Sequence, residues 1–287
     1  MVLRLGRQSF PEDRRLMMAI VNRTPDSFYD QGATWSEDKA LDRVAQVVDE
    51  GAEIVDIGGI KAAPGDEVGV EEEMRRTVSF VERVRDAHPE VVISVDTWRS
   101  PVGRAVCEAG ADVLNDAWGG ADPGLVDVAA EYDAAIICTH TGGVVPRTRP
   151  HRIEYADVVA SAITDTTAYA ERALAAGVAR ESIVIDPAHD FGKTTQDSLD
   201  LTRRLDELVA TGWPVLVSLS NKDFVGESLD LPVEERLTGT LAATAVCALA
   251  GARIYRVHQV VETRQTVDMV NTIAGRRLPK RAIRGLQ

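Results

Sequence analysis

Eight apolar stretches of this chain stop on polar side chains that could do chemistry together. They end at Asn22, Asp56, Asp96, Asn115, the pair Thr139-His140, Asp186, the loop Ser218 to Lys222, and Arg256 with His258. Asp96, Asn115 and Asp186 supply acceptors and one amide, which suits a flat heterocycle rich in N–H donors, such as a 2-amino-4-oxo ring. A carboxylate facing an amino-amidine edge gains a charge-assisted, bidentate contact, and Lys222 can meet the ring carbonyl. Asn22, Arg256 and His258 bring one amide, one guanidinium and one imidazole. That set reads as an anion pocket, most simply for a phosphate or diphosphate. Each residue alone is an ordinary strand-end residue; a ring of them requires a fold that converges strand ends.

The elements between these residues describe such a fold. Leu16 to Val21 is a short apolar run bounded by turn chemistry, as expected of a strand buried on both faces. Comparable runs follow at 53–58, 91–96, 112–115, 134–139, 182–186, 214–218 and 253–257. Between them lie stretches of helical period, at 37–50, 70–86, 101–109, 122–132, 155–176, 196–210 and 233–250, with 262–273 after the last strand. Ser36 is placed to N-cap the first. Glycines 51, 110, 177, 212 and 251 fall between a helix and the next strand, where a left-handed C-cap belongs. Eight β/α units without a linker predict an α/β fold, a (β/α)8 TIM barrel, as one domain over residues 1–287. A doubly wound sheet would show a Gly-rich loop after its first strand, where this chain has Arg23-Thr-Pro-Asp26.

Composition excludes other classes. A formal net charge of -13 argues against a nucleic-acid surface. No apolar run approaches the roughly 20 residues of a membrane span. The start, Met1-Val-Leu-Arg-Leu-Gly-Arg7, lacks the pattern of a signal peptide. Three scattered cysteines, Cys107, Cys138 and Cys247, read as reduced packing residues. A cytoplasmic protein is expected.

The ordered stretches Asn22-Arg-Thr-Pro-Asp-Ser-Phe28, Asp56-Ile-Gly-Gly59, Ser94-Val-Asp-Thr97, Asn115-Asp116, Asp186-Pro187 with Phe191-Gly-Lys193, Ser220-Asn-Lys222 and Arg256-Val-His258 resemble the dihydropteroate synthase family. In that family p-aminobenzoate displaces diphosphate from the exocyclic methylene of a dihydropterin. The transition state is close to a dissociated pterin cation and diphosphate, so stabilising the leaving group is the main demand. The resemblance implies that Asp96, Asn115, Asp186 and Lys222 hold the pterin, and that Asn22, Arg256 and His258 hold the diphosphate. Lys222, Arg256 and His258 then carry the catalytic roles. It also implies Mg2+ on the diphosphate oxygens, with Asn22 as the protein's metal ligand. Nothing in the sequence is a self-sufficient metal cage, so the ion is expected to arrive with substrate.

Four departures fall in one half of that site. Where the family reads Glu-Ser-Thr-Arg-Pro-Gly, this chain reads Ile60-Lys-Ala-Ala-Pro-Gly65, so Lys61-Ala62-Ala63 replaces Ser-Thr-Arg. Ser220-Asn-Lys-Asp223 stands for Ser-Arg-Lys-Ser, Arg23 for a small apolar residue, and Ala188-His-Asp190 for a Gly-rich apolar segment. The pterin and diphosphate floor is kept while the wall for the second substrate is rewritten. Losing an arginine and a hydroxyl from a closing loop removes about 2–4 kcal/mol of transition-state contact, on the order of a hundredfold in rate. Lys61 or Arg23 could restore one charge but not bidentate geometry. The favoured reading is a homologue that binds the pterin diphosphate, with condensation to p-aminobenzoate weak or lost. The alternatives are an active synthase, a synthase using another amine, and, less favoured, a pterin-dependent methyltransferase. The Ala-rich helix at 233–250 and the family's habit imply a homodimer. His140 is expected to face the site, and Arg147, Arg149 and His151 lie on a long basic loop.

Overall fold

The computed structural model describes residues 2–23, 36–60, 67–148 and 153–284. Two short strands precede the repeats, β1 (Leu3–Leu5) and β2 (Gln8–Phe10), paired antiparallel. The barrel strands are β3 (Leu16–Asn22), β4 (Ile54–Gly58), β5 (Val92–Asp96), β6 (Val113–Asp116), β7 (Ala135–Thr139), β8 (Ile183–Asp186), β9 (Leu216–Val217) and β10 (Ile254–Val257). All eight are parallel, neighbours in sequence pair from β3 to β8, and β9 pairs with β10 and β10 with β3. A parallel bridge between Ile185 and Val215 joins β8 to β9, so the sheet meets itself as a TIM barrel.

Ten helices surround it among the described residues: α1 (Glu37–Asp49), α2 (Val70–Ala87), α3 (Ser100–Glu108), α4 (Leu125–Glu131), α5 (Val158–Ala176), α6 (Thr195–Arg203), α7 (Leu205–Val209), α8 (Asp223–Leu229), α9 (Leu237–Ala250) and α10 (Val260–Ile273). The single helix expected over 196–210 is broken at Arg204, and the one expected from 233 begins at Leu237 after a 3-10 turn. α8 has no counterpart in the periodicity. Glycines 51, 110, 177, 212 and 251 all take positive φ, as left-handed caps do. Ser36 precedes α1 in extended conformation but makes no side-chain cap bond.

Strand alternation divides the side chains. Odd members of β3, Leu16, Met18, Ile20 and Asn22, share one face, while Met17, Ala19 and Val21 pack in the outer core under the helices. The inner floor is apolar, with Leu16, Met18, Ile54, Val92, Val113, Ile137, Val184, Leu216 and Ile254 in one cluster. Leu3 and Leu5 of the hairpin join it, both fully buried, and so plug the barrel's lower end. Each contributes about 2 kcal/mol by leaving water. Gly6, at φ +54, turns the hairpin; a Cβ there would strike the Asp112 carboxylate.

Candidate active site

One step above the apolar floor the inward side chains turn polar: Asp56 and Gly58 on β4, Ser94 and Asp96 on β5, Asn115 on β6, Asp186 on β8, Arg256 on β10. The register sets Asn22 beside Gly58, Gly58 beside Asp96, and Asp96 beside Asn115. Gly58 keeps this row open, because a Cβ there would stand 3.7 Å from Asn22 Oδ1 and 4.0 Å from the Asp96 Cβ.

Asp56 is the hub of the row. Fully buried, it accepts from Ser94 Oγ at 2.7 Å, from Asn115 Nδ2 at 3.3 Å and from Arg256 Nε at 2.7 Å. Arg256 also reaches Asp96 Oδ2 through Nη2 at 3.3 Å. With its amide nitrogen on Asp56, Asn115 keeps its oxygen for a ligand's N–H. Burial, opposed by Arg256 and reinforced by Asp56, raises the Asp96 carboxyl to about 7. It therefore titrates where a ligand would meet it. Spacing shows Asp56 only as one strand end among eight; its central place comes from partners on three other strands.

Asp186 and Lys222 form the other side. Asp186 is buried, accepts from the Ala188 N–H at 2.7 Å, and is raised by desolvation against the pull of Lys222. Lys222 donates to the His189 carbonyl, and burial lowers its ammonium. Next to them Lys193 donates to the carbonyls of Phe191 at 2.7 Å and His140 at 3.2 Å, and burial lowers it to about 7. Trp98, Trp118 and Phe191 form an edge-to-face row across the loops after β5, β6 and β8, with centroids 6.0 and 4.8 Å apart.

At the end of β10, the His258 N–H donates to Ser220 Oγ at 3.2 Å, and Arg43 holds the His258 carbonyl at 2.7 Å. Burial, then Arg256 and Arg43, push the imidazole down to about 3. His258 is therefore neutral at physiological pH.

Several departures point away from the mouth. Asn221, φ +55 and 2% exposed, donates its side-chain amide to Gln259 Oε1 at 3.4 Å and its backbone N–H to the Thr240 hydroxyl at 3.0 Å. Asp223 is paired by Arg236 at 2.8 Å. Arg23 lies over the Phe80 ring, 4.8 Å from its centroid, and 3.9 Å from Glu37, so it restores no charge to the mouth. His140 likewise turns outward, correcting the expectation that it faces the site. Its Nε2 is 3.1 Å from Ser161 Oγ and 3.4 Å from Asp165 on α5, and burial lowers it to about 3. Residue 139 takes the inward position, so 140 takes the outward one. Asp116 is also outward, accepting from Tyr169 Oη at 2.6 Å. The stretch Thr24 to Phe28, the loop Lys61 to Gly65, and Arg149 and His151 lie outside the described residues.

The family model for pterin binding enzymes matches residues 18–258, from the first barrel strand to the histidine after the last. The chain belongs to that family. Among pterin binding enzymes it is 57% identical over 278 residues to a Mycobacterium leprae protein named inactive dihydropteroate synthase 2, covering 96% of each chain. It is 38% identical over 264 residues to the Bacillus subtilis dihydropteroate synthase, covering 91% of this chain and 90% of that one. The Yersinia pestis dihydropteroate synthase, solved as a sulfonamide drug complex, superposes with a TM-score of 0.90 at 32% identity, over 96% of this chain and all of that one. The pterin-binding chain described here is thus a dihydropteroate synthase homologue on the same barrel.

Proposed function

We propose that this protein binds 6-hydroxymethyl-7,8-dihydropterin diphosphate and that its condensation with p-aminobenzoate is weak or lost. The observation that carries the reading is the contrast within one mouth. Asp96, Asn115 and Asp186 stand with Lys222 as acceptors and a cation for a donor-rich ring, while Asn221 and Asp223 are tied into the protein's own contacts. The Mycobacterium leprae relative, named inactive, is more similar than the Bacillus subtilis synthase.

In this reading the ring lies on Asp96, Asn115 and Asp186, and Lys222 meets its carbonyl. Asn22, Arg256 and His258 take the diphosphate, with Arg256 turning its remaining terminal nitrogen to an oxygen. Among the described residues no group of three or more His, Cys, Asp or Glu could hold a metal ion. Asn22 offers one hard oxygen donor at the mouth, so Mg2+ fits there only with diphosphate oxygens as its other ligands, where it would neutralise leaving-group charge. A homodimer is supported by the exposed apolar residues Val246, Leu249, Met269 and Ile273 on α9 and α10. A cytoplasmic location is consistent with the three free cysteines. No described helix is long and apolar enough to cross a membrane.

The test supplies the full chain with dihydropterin diphosphate, Mg2+ and p-aminobenzoate and measures dihydropteroate by mass spectrometry. Tight binding of the pterin diphosphate without product supports the proposal. Robust turnover identifies a working synthase instead. Binding of neither substrate removes the pterin assignment.

A further inference from the structure

The end of the barrel away from the mouth carries an unexplained concentration of positive charge. A cavity of about 500 Å3 opens there, walled by the segment leading into β3, the turn after α1, α10 and the segment after it. That volume accommodates a small organic anion. Its cations are Arg14, Arg15, Arg264, Arg276, Arg277 and Lys280, against the carboxylates Asp13, Glu50 and Asp268. The protein as a whole carries -13.

The local pairings do not neutralise this group. Arg14 and Arg264 share one carboxylate, Glu53, each at 2.6 Å. Arg277 and Lys280 share Asp268, at 2.5 and 3.9 Å. Arg276 donates to the carbonyls of Ala248 and Leu249 at 2.9 and 2.8 Å, where it caps α9 and meets no acid among the described residues. Arg15 donates to the Glu12 carbonyl at 2.9 Å, while its buried Nε has no partner among the described residues. Behind it Arg253, 7% exposed, is held by the carbonyls of Phe10 and Pro11 at 3.2 and 2.6 Å.

The lower face of a barrel ordinarily serves stability. Crowding guanidinium groups around shared carboxylates does the reverse, because like charges repel and a buried N–H without a partner is costly. The arrangement becomes favourable once an anion with several oxygens occupies the cavity, since guanidinium forks match phosphate oxygens bidentately. A cup of this size does not fit a nucleic-acid backbone, which needs an extended basic stripe. We propose that this basal cavity is a second ligand site, independent of the mouth, for a small phosphate-bearing anion gripped by Arg15, Arg276, Arg277 and Lys280.

Inorganic diphosphate is the probe, and hydrogen–deuterium exchange on the full chain is the readout, because it separates the two ends of the barrel. Diphosphate should slow exchange in residues 11–16 and 275–281. Arg15→Gln should raise the concentration needed for that protection about tenfold, as the loss of one charged contact does. Protection of 216–222 and 254–258 at the mouth should be unchanged in the variant. Lys280, 82% exposed, gives a second variant that cannot disturb the core, and Lys280→Gln should weaken basal protection severalfold. Absence of basal protection up to roughly 10 mM diphosphate, an affinity too weak to matter, would overturn the site. So would basal protection identical in the wild type and both variants. Loss of mouth protection alone would count against the pterin diphosphate assignment and leave the basal site standing.

Discussion

The Arg256 guanidinium is bonded to Asp56, its Nε 2.7 Å from Oδ2, across 200 residues of sequence. Asp56 is fully buried and the arginine side chain 20% exposed, so each is the other's main counter-charge. Removing one partner of such a pair leaves a buried charge uncompensated, at about 3–5 kcal/mol. Asp56→Ala should therefore lower stability to urea by about 3 kcal/mol. Combined with Arg256→Met, the loss should be smaller than the sum of the two single losses. An additive cycle would show that the pair is not coupled.

Asp96, raised to about 7 by burial, makes ligand binding depend on pH. Only the ionised carboxylate accepts two N–H bonds from an amino-amidine edge. Affinity for a 6-hydroxymethylpterin should rise about tenfold from pH 6 to pH 8, following the ionised fraction of a group that titrates near 7. Asp96→Asn should flatten that rise. The same group acts on stability in the opposite sense. Its folded pKa lies above its unfolded value of 3.8, so its contribution is greatest at low pH and is lost as pH climbs through 7. Fluorescence titration checks the first statement, and an affinity that stays level across this range contradicts it.

His189 is fully buried, neither ring nitrogen has a partner among the described residues, and its ring lies 5.8 Å from that of Phe224. Burial, then the charges of Lys222 and Lys193, hold its imidazole well below the ordinary value of 6.5. The folded state thus resists the proton that the unfolded chain accepts, and stability falls as pH drops below 6.5. Replacing an unsatisfied buried polar group with an apolar one gains on the order of 1–3 kcal/mol. His189→Leu should raise the midpoint of thermal unfolding at pH 7 and make the acid fall shallower. If the variant melts lower and keeps the same acid slope, the ring has a partner or a role that this geometry does not reveal.

On the proposed reading, sulfonamides, which resemble p-aminobenzoate, would meet the rewritten half of the mouth. Inhibition or binding by sulfonamides should be weak or absent, and a sub-micromolar dissociation constant, about -8 kcal/mol or stronger, would show the wall intact. Rebuilding the loop as Lys61→Ser, Ala62→Thr and Ala63→Arg should raise dihydropteroate formation on the order of a hundredfold. Steady-state kinetics decide the point. No gain from the rebuilt loop would shift the cause of low activity to Asn221 and Asp223.

The sequence by itself determined the barrel and the inward set at its mouth. Parallel strands alternate their side chains with period two, so Asn22, Asp96, Asn115, Asp186 and Arg256 were legible from apolar runs ending on polar residues. The helix stops were legible too, because a left-handed cap strongly favours glycine, as at Gly177 and Gly251. Alternation could also have turned Arg23 and His140 outward, since each directly follows an inward residue. Tertiary structure alone decided that Asp56 joins Ser94, Asn115 and Arg256, that the Leu3–Phe10 hairpin plugs the floor, and that the cations at the base outnumber their carboxylates. Strand period is a local property of neighbouring residues. Burial and the pairing of charges depend on groups brought together from 38 to 200 positions away, as around Asp56, and no local pattern encodes them.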